Sequence, residues 1–149
     1  MSLPYENTSS GAKAFDEIQK ILSKFGCQSF GQMSDYERKC ITVQFKYRNN
    51  PISVEASIKG YAAAWLREHP YTSRTRCTRQ QHEQKALDVA GTAVFSILRD
   101  WIKGQVMAVE TGILSFDGAF LGQILLPNGN TIYQQVLESK MLPALDAPK

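Results

Sequence analysis

The residue types best suited to hold a ligand are concentrated between positions 67 and 85, where basic and hydroxyl side chains alternate. From position 70 to position 82 the sequence contains three arginines and no acidic residue. Guanidinium groups form paired hydrogen bonds with phosphate, hydroxyls add neutral ones, and a tyrosine ring can stack on a base. We therefore predict that this stretch contacts the phosphates of a nucleic acid, DNA or RNA, through one set of side chains: Arg67, Tyr71, Arg74, Arg76, Arg79 and Lys85.

The same basic stretch has an alternative interpretation as a solvated loop whose arginines pair with acidic residues elsewhere in the fold. It lacks the glycine pattern of a phosphate-binding loop. The net charge of +3 is too small to indicate a polyanionic partner by itself. The placement of the charges must therefore decide between the two interpretations.

A second candidate surface is the polar face of a predicted β-hairpin. Hydroxyl, amide and basic side chains on such a face can lie against a nucleic-acid backbone. The pattern is more typical of the solvated side of an antiparallel sheet, and we favour that interpretation. The residues on this face are Thr42, Gln44, Lys46, Arg48, Ser53 and Ser57.

Metal binding and catalysis have weaker support in the sequence. Cys77 and His82 form one loose pair of possible zinc ligands, whereas a structural site needs four. A thiolate at Cys77 beside His69 or His82 is a conceivable nucleophile, but a partly buried thiol fits the sequence better. The acidic residues are scattered and show no catalytic spacing. We assign no metal, no cofactor and no catalytic residue, which favours a non-enzymatic protein and leaves the question of enzymatic activity open.

Composition indicates one folded domain. The chain has 149 residues, of which 43% are hydrophobic and 10% aromatic, enough to form a core. No run of about 18 apolar residues is present, so no membrane span is predicted. Three cysteines are an odd number and favour free thiols in a reducing cytoplasm. We expect residues 1–10 to form a flexible arm without the features of a signal peptide, and residues 11–145 to form a single domain.

The element that organises the rest is a long amphipathic helix predicted at about residues 79–111. Apolar residues recur there at steps of three and four. Thr78 is suited to cap its start and Gly112 to end it. Its length of about 45 Å matches the width of a small domain. Gly91 and Gly104 are the positions where such a helix is most easily bent.

The remaining pattern predicts an α+β fold, with a small antiparallel sheet packed against helices. Period-two alternation predicts a hairpin over residues 41–58, with Asn49-Asn50 as its loop and Tyr47 opposite Ile52. An edge strand is predicted at 27–34. Helices are predicted at 10–25 and 60–69, with short ones capped by Ser115 and Thr131.

Three blocks of sequence carry a resemblance: YAAAWLREHPYTSR, ILRDWIKGQV and ETGILSFDGAFL. Through them the chain resembles small uncharacterised proteins encoded by bacteriophages and prophages. The resemblance implies a phage accessory role in the bacterial cytoplasm, and it favours two activities, nucleic-acid binding and binding of a host protein. It implies no catalytic or binding residue, because that group has no assigned function.

The sequence favours two functions and leaves a third, an enzyme that uses Cys77 or an acidic cluster, ranked last. The first is a non-enzymatic phage accessory protein that binds nucleic acid through the arginine-rich loop and the start of the long helix. The second is a protein-interaction module, either an inhibitor or adaptor of a host or defence protein, or a homodimer. Residues 113–145 favour the second, because their apolar content exceeds what one small core needs.

Overall fold

A computed structural model describes residues 2–142 of the chain. The elements follow the order α1 (Gly11–Phe25), β1 (Ser29–Asp35), β2 (Cys40–Tyr47), β3 (Asn50–Ser57), α2 (Ile58–Glu68), α3 (Arg79–Glu110), α4 (Phe116–Phe120), a 3-10 turn (Leu121–Gln123) and α5 (Ile132–Glu138). The strands form one antiparallel sheet in the order β1-β2-β3. The predicted α+β fold with one long helix is confirmed. No helix among these elements is long and apolar enough to cross a membrane.

Helix α3 is continuous over 32 residues, so neither of its glycines breaks it. The Thr78 hydroxyl accepts a hydrogen bond from the Gln81 amide at 3.1 Å, and the Gln81 side chain accepts one from the Thr78 amide at 3.0 Å. This reciprocal capping satisfies two amides that a helix start otherwise leaves free. The helix ends before Gly112, whose φ of 77° is accessible to glycine at little cost.

Helix α3 contributes to two hydrophobic cores through one stripe of buried residues: Ala86, Ala90, Ala93, Val94, Leu98, Ile102 and Val106. The larger core lies between the sheet, α1 and the second half of α3, and includes Ile18, Phe45 and Phe120. The smaller core lies between α2 and the first half of α3, around Trp65 and Ala90. The smaller core is the one that supports the loop between α2 and α3.

The hairpin of β2 and β3 has the predicted buried face but a different register. Tyr47 pairs with Asn50 and Phe45 with Ile52, so the predicted pairing of Tyr47 with Ile52 was wrong by two residues. The loop is Arg48-Asn49, with φ of 48° and 67°.

Proline explains this register. The residues that close a two-residue loop exchange backbone hydrogen bonds, and the predicted register would have put Pro51, which has no amide proton, in the closing position. In the structure Pro51 lies one pair further along, opposite Lys46. A shift of two residues keeps every side chain on its original face, which is why the predicted core face was right.

The segment before α1, for which the sequence predicts a flexible arm, lies against α2 and α3. The Tyr61 hydroxyl donates to the Pro4 carbonyl at 2.6 Å, and the Tyr5 hydroxyl donates to Asp100 at 2.5 Å. The Glu6 carboxylate lies 2.9 Å from the His69 imidazole and accepts a hydrogen bond from the Trp65 indole at 3.3 Å. These contacts attach the arm to α2 and to the second half of α3.

The last third of the described chain contains two short helices. Ser115 and Thr131 cap α4 and α5, as expected. After α4 and the 3-10 turn the chain becomes extended, where Ile124 forms a β-bridge with Ile52 and the Leu125 amide donates to the Pro51 carbonyl at 2.8 Å. This segment therefore covers part of the outer edge of β3.

Candidate nucleic-acid interface

The loop between α2 and α3, residues 69–78, has a defined shape because it is hydrogen-bonded to itself. The Tyr71 hydroxyl donates to the Cys77 carbonyl at 2.7 Å, which joins the two ends of the loop. Inside it, the Thr75 amide donates to the Thr72 carbonyl at 3.0 Å and the Thr72 amide to the Thr75 hydroxyl at 3.1 Å. The threonines that the sequence suggested as ligand-binding hydroxyls are thus used to fold the loop.

His82 anchors this loop to the protein. It is 7% exposed, and its Nε2 lies 2.6 Å from the His69 carbonyl oxygen. Because a carbonyl only accepts hydrogen bonds, Nε2 must donate. The imidazole also packs against the rings of Trp65 and Tyr71, with centroid distances of 5.2 and 5.6 Å. The sequence suggested His82 only as a metal ligand or catalytic partner, although its spacing four residues before buried Ala86 places it on the buried stripe.

The basic side chains of the predicted site are all exposed: Arg67, Arg74, Arg76, Arg79 and Lys85. None of them lies within 4.0 Å of a carboxylate in the part of the chain that the structure describes, where the ion pairs involve Arg38, His69 and Arg99 instead. The alternative interpretation of a loop neutralised by acids of the fold is therefore not supported by these contacts. The five cations remain available to an external anion.

Tyr71 and Arg79 are held together by a cation–π contact. The Arg79 guanidinium carbon lies 5.0 Å from the centroid of the Tyr71 ring. The Tyr71 ring is also packed against His82, and its hydroxyl is bonded within the loop. This geometry favours a positioning role for Tyr71, which orients Arg79, over the base-stacking role expected from the sequence.

The start of α3 adds positive potential beside the arginines. Helix N-termini attract anions through their free amides and the aligned peptide dipoles. The Thr78–Gln81 capping box uses two of the amides, and no acidic residue lies in the first turn. An anion at the loop is thus not opposed by a neighbouring carboxylate in that turn.

The cysteines and histidines were the possible metal ligands and nucleophiles of the sequence. No group of three or more possible metal ligands occurs within residues 2–142. The Nε2 atom of His69 contacts Glu6 and that of His82 contacts the His69 carbonyl, so neither of these atoms is available to Cys77. At Cys27, burial raises the pKa of the thiol to about 11, so that thiol is protonated and unreactive at neutral pH.

The polar face of the hairpin forms the solvated side of the sheet. Cross-strand pairing brings Gln44 opposite Ser53, with a side-chain hydrogen bond of 3.3 Å. The same face carries an acidic residue, Glu55, whose carboxylate pairs with Arg38 at 2.5 Å. Its charges are therefore mixed, in contrast to the loop between α2 and α3.

The comparisons with known proteins add no relative. No family model, curated protein or solved structure matches the chain. The phage origin stays a prediction from the sequence, and the function has to be argued from the geometry of the site.

Proposed function

We propose that this protein is a non-enzymatic accessory protein that binds nucleic acid through the loop between α2 and α3 and the first turns of α3. The observation that carries the proposal is the group of exposed basic side chains without a carboxylate within 4.0 Å among the described residues. Arg74, Arg76 and Arg79 contact phosphates, and Arg67 and Lys85 extend the positive surface. Tyr71 supports them by holding Arg79.

The loop geometry favours contacts with phosphates over contacts with base edges. Its internal hydrogen bonds and the His82 anchor reduce the conformational entropy that the loop loses on binding. The Tyr71 ring contacts Arg79 and His82, and its hydroxyl donates to the Cys77 carbonyl. Phosphate contacts position a protein without reading sequence, so we expect binding that depends little on base composition.

A fluorescence anisotropy titration with a labelled oligonucleotide at several salt concentrations tests this proposal. Each phosphate contact contributes roughly 0.7 to 0.9 to the slope of log affinity against log salt. The combined Arg74→Ala, Arg76→Ala and Arg79→Ala variant should therefore bind more weakly and reduce that slope by about 2 to 3. Running single-stranded and duplex oligonucleotides in parallel defines the preferred form.

A charge-matched control distinguishes the loop from general attraction to a basic protein. Lys13, Lys20 and Lys24 are exposed on α1, and replacing them with alanine removes the same charge. This control variant should keep the affinity and the slope of the native protein. Equal affinities for the arginine variant and the native protein would reject the proposal.

The proposed setting is that of a phage accessory protein in the bacterial cytoplasm. The sequence resemblance supports the phage origin. Cys27, Cys40 and Cys77 are all free thiols, as a reducing compartment favours.

A second candidate function, a protein-interaction module, is favoured by exposed apolar side chains near the end of α3 and beyond it. Several large apolar residues in this region are well exposed, with Ile113 at 75% and Met141 at 69%. Among residues 107–142 the exposed large apolar side chains are Met107, Ile113, Leu114, Leu121, Tyr133, Met141 and Leu142. Exposed apolar side chains that form one patch are typical of surfaces that bind another protein, such as a host or defence protein.

The interaction candidate is tested by affinity purification from a bacterial lysate with the native protein and an Ile113→Ser, Leu121→Ser variant. Both side chains are exposed, so the variant should fold normally. Specific loss of one co-purifying protein in the variant supports the candidate. Identical sets of co-purifying proteins count against it.

A further inference from the structure

The outer edge of strand β1 is open in the described structure. β1 is hydrogen-bonded to β2 alone, and none of the turn and loop backbone hydrogen bonds reaches it. An open edge is a template for another strand, and proteins usually block it with lysine, proline, a bulge or a covering segment. β1 contains neither lysine nor proline, and it pairs with β2 over seven residues in unbroken register.

The opposite edge of the sheet shows the protection that β1 lacks. β3 contains Pro51 near its start and the charged Glu55 further along. The bridge between Ile52 and Ile124 and the hydrogen bond from the Leu125 amide to Pro51 cover part of that edge. The difference between the two edges indicates that β1 is left available for pairing.

We propose that β1 pairs antiparallel with β1 of a second copy of this chain around a two-fold axis, so that the two sheets become one. Gln32 is the midpoint of the seven-residue strand. Centring the axis on Gln32 is the register in which every residue of Ser29–Asp35 has a partner. Met33 then faces Gly31 of the second copy, and the two-fold axis repeats this contact on the other side.

The side chains at this edge fit each other in that register. Met33 lies on the solvated face of the sheet and is 68% exposed. Gly31 lies on the same face, and no heavy atom lies within 4 Å of the position that a Cβ would take there. A shallow depression adjoins it, lined by Gly31, Gln32, Met33, Thr42 and Gln44 of the same chain. The unbranched thioether chain of Met33 can occupy the depression of the second copy.

The charges at the edge are compatible with self-pairing. Asp35 is the one charged residue of β1, and it faces Ser29 of the second copy, so no like charges are opposed. Within each sheet Ser29 pairs with Lys46, which is exposed. Lys46 of the second copy is therefore two strands from Asp35, roughly 10 Å between backbones. Opposite charges at both ends of the paired strands favour this register.

Cysteine cross-linking tests the register directly. Residues that face each other across antiparallel strands have Cα atoms about 4.5 to 5.5 Å apart, within the range of a disulfide. Gln32→Cys should form a reducible covalent dimer, at twice the 16.7 kDa chain mass, under mild oxidation. Glu55→Cys, at the other edge, and the native protein with its own cysteines should not. Cross-linking of Glu55→Cys but not of Gln32→Cys would overturn the proposal.

Light scattering coupled to size exclusion tests the interaction without cross-linking. Native protein should shift toward twice 16.7 kDa as its concentration rises. Gly31→Lys and Met33→Lys place a charge at the two-fold contact on an open surface, so both should fold normally and stay monomeric. Ser53→Lys adds the same charge to the same face of the sheet at β3 and should still dimerise.

Two results would overturn the proposal. One is a native mass of 16.7 kDa at every concentration. The other is a dimer that survives Met33→Lys but is lost in Ile113→Lys, which would assign self-association to the apolar surface at the end of α3. Neither result affects the nucleic-acid proposal, because no residue of β1 belongs to the loop between α2 and α3.

Discussion

At the scale of single residues, the candidate interface depends on buried side chains that touch no ligand. His82 connects the loop to the smaller core by donating to the His69 carbonyl and by packing against Trp65 and Tyr71. The Arg79 guanidinium in turn lies over the Tyr71 ring in a cation–π contact. Each exposed arginine supplies its own contact with a ligand, whereas His82 holds the whole loop in position.

His82→Ala should lower the free energy of unfolding by about 2 to 4 kcal/mol, because it removes a buried ring and leaves the His69 carbonyl without its donor. Chemical denaturation followed by circular dichroism measures this loss. Glu83→Ala is the matched control, since Glu83 is the exposed neighbour in the same helix and should change stability by less than about 0.5 kcal/mol. Equal stabilities for the two variants would contradict the anchoring role.

At the scale of elements, the backbone requirements of the turn determine the register of the β2–β3 hairpin, which the side-chain pattern does not. Alternation in β2 and β3 identifies the buried face, but it fits registers that differ by two residues equally well. The loop selects one register, because Arg48 and Asn49 both have positive φ and Pro51 cannot close the turn. The open edge of β1 is likewise a property of the element, visible once the sheet order is known.

Arg48→Gly should stabilise the protein by about 0.4 to 1 kcal/mol, because glycine adopts positive φ without the strain that arginine has there. Asn50→Gly is the control that separates the two registers. In the observed register Asn50 is a strand residue, so glycine should destabilise the hairpin. Thermal melting of both variants makes the comparison, and stabilisation by Asn50→Gly alone would support the register predicted from the sequence.

At the scale of the whole molecule, α3 separates two surfaces of different character. The loop between α2 and α3 precedes its start, and the exposed apolar side chains of Met107, Ile113 and Leu114 lie at its other end. A helix of 32 residues puts roughly 48 Å between those ends. Variants in one surface should therefore leave the other intact, so nucleic-acid binding and protein binding can be tested independently.

The arm before α1 makes the stability of the whole molecule depend on pH. Burial raises the pKa of the Glu6 carboxyl, but the Leu3 amide, the His69 imidazole and the Trp65 indole outweigh it, so that the pKa lies below its ordinary value of 4.5. A lowered pKa in the folded state means that the unfolded state binds the proton more tightly. The stabilisation by Glu6 is therefore present above pH 4.5 and is lost as the pH falls through the lowered value.

Glu6→Gln should remove this dependence, because the amide keeps the shape of the side chain but does not titrate. We expect native protein to be more stable than the variant at pH 7 and the difference to shrink at pH 3. Urea denaturation at the two pH values measures it. A difference that grows toward low pH would contradict the contribution of the Glu6 carboxylate.

The sequence by itself determined the elements of this protein and the faces that they bury. Apolar spacing located α3 and the hairpin, and the capping residues Thr78, Ser115 and Thr131 marked three helix starts. These features are local, because hydrophobic period and cap chemistry depend on residues a few positions apart.

Only the tertiary structure decided which polar groups remain available to a ligand. Whether an arginine has a carboxylate partner depends on elements far apart in sequence, and here none lies within 4.0 Å of the loop arginines in the described chain. Packing of α2 against α3 places His82 beside the His69 carbonyl and the Tyr71 ring. His82, a possible metal ligand from the sequence, and Tyr71, a possible base-stacking residue, therefore hold the loop in place. Contacts between residues far apart in the chain leave no repeating pattern in the sequence, because they depend on how the buried faces of the helices and strands pack together.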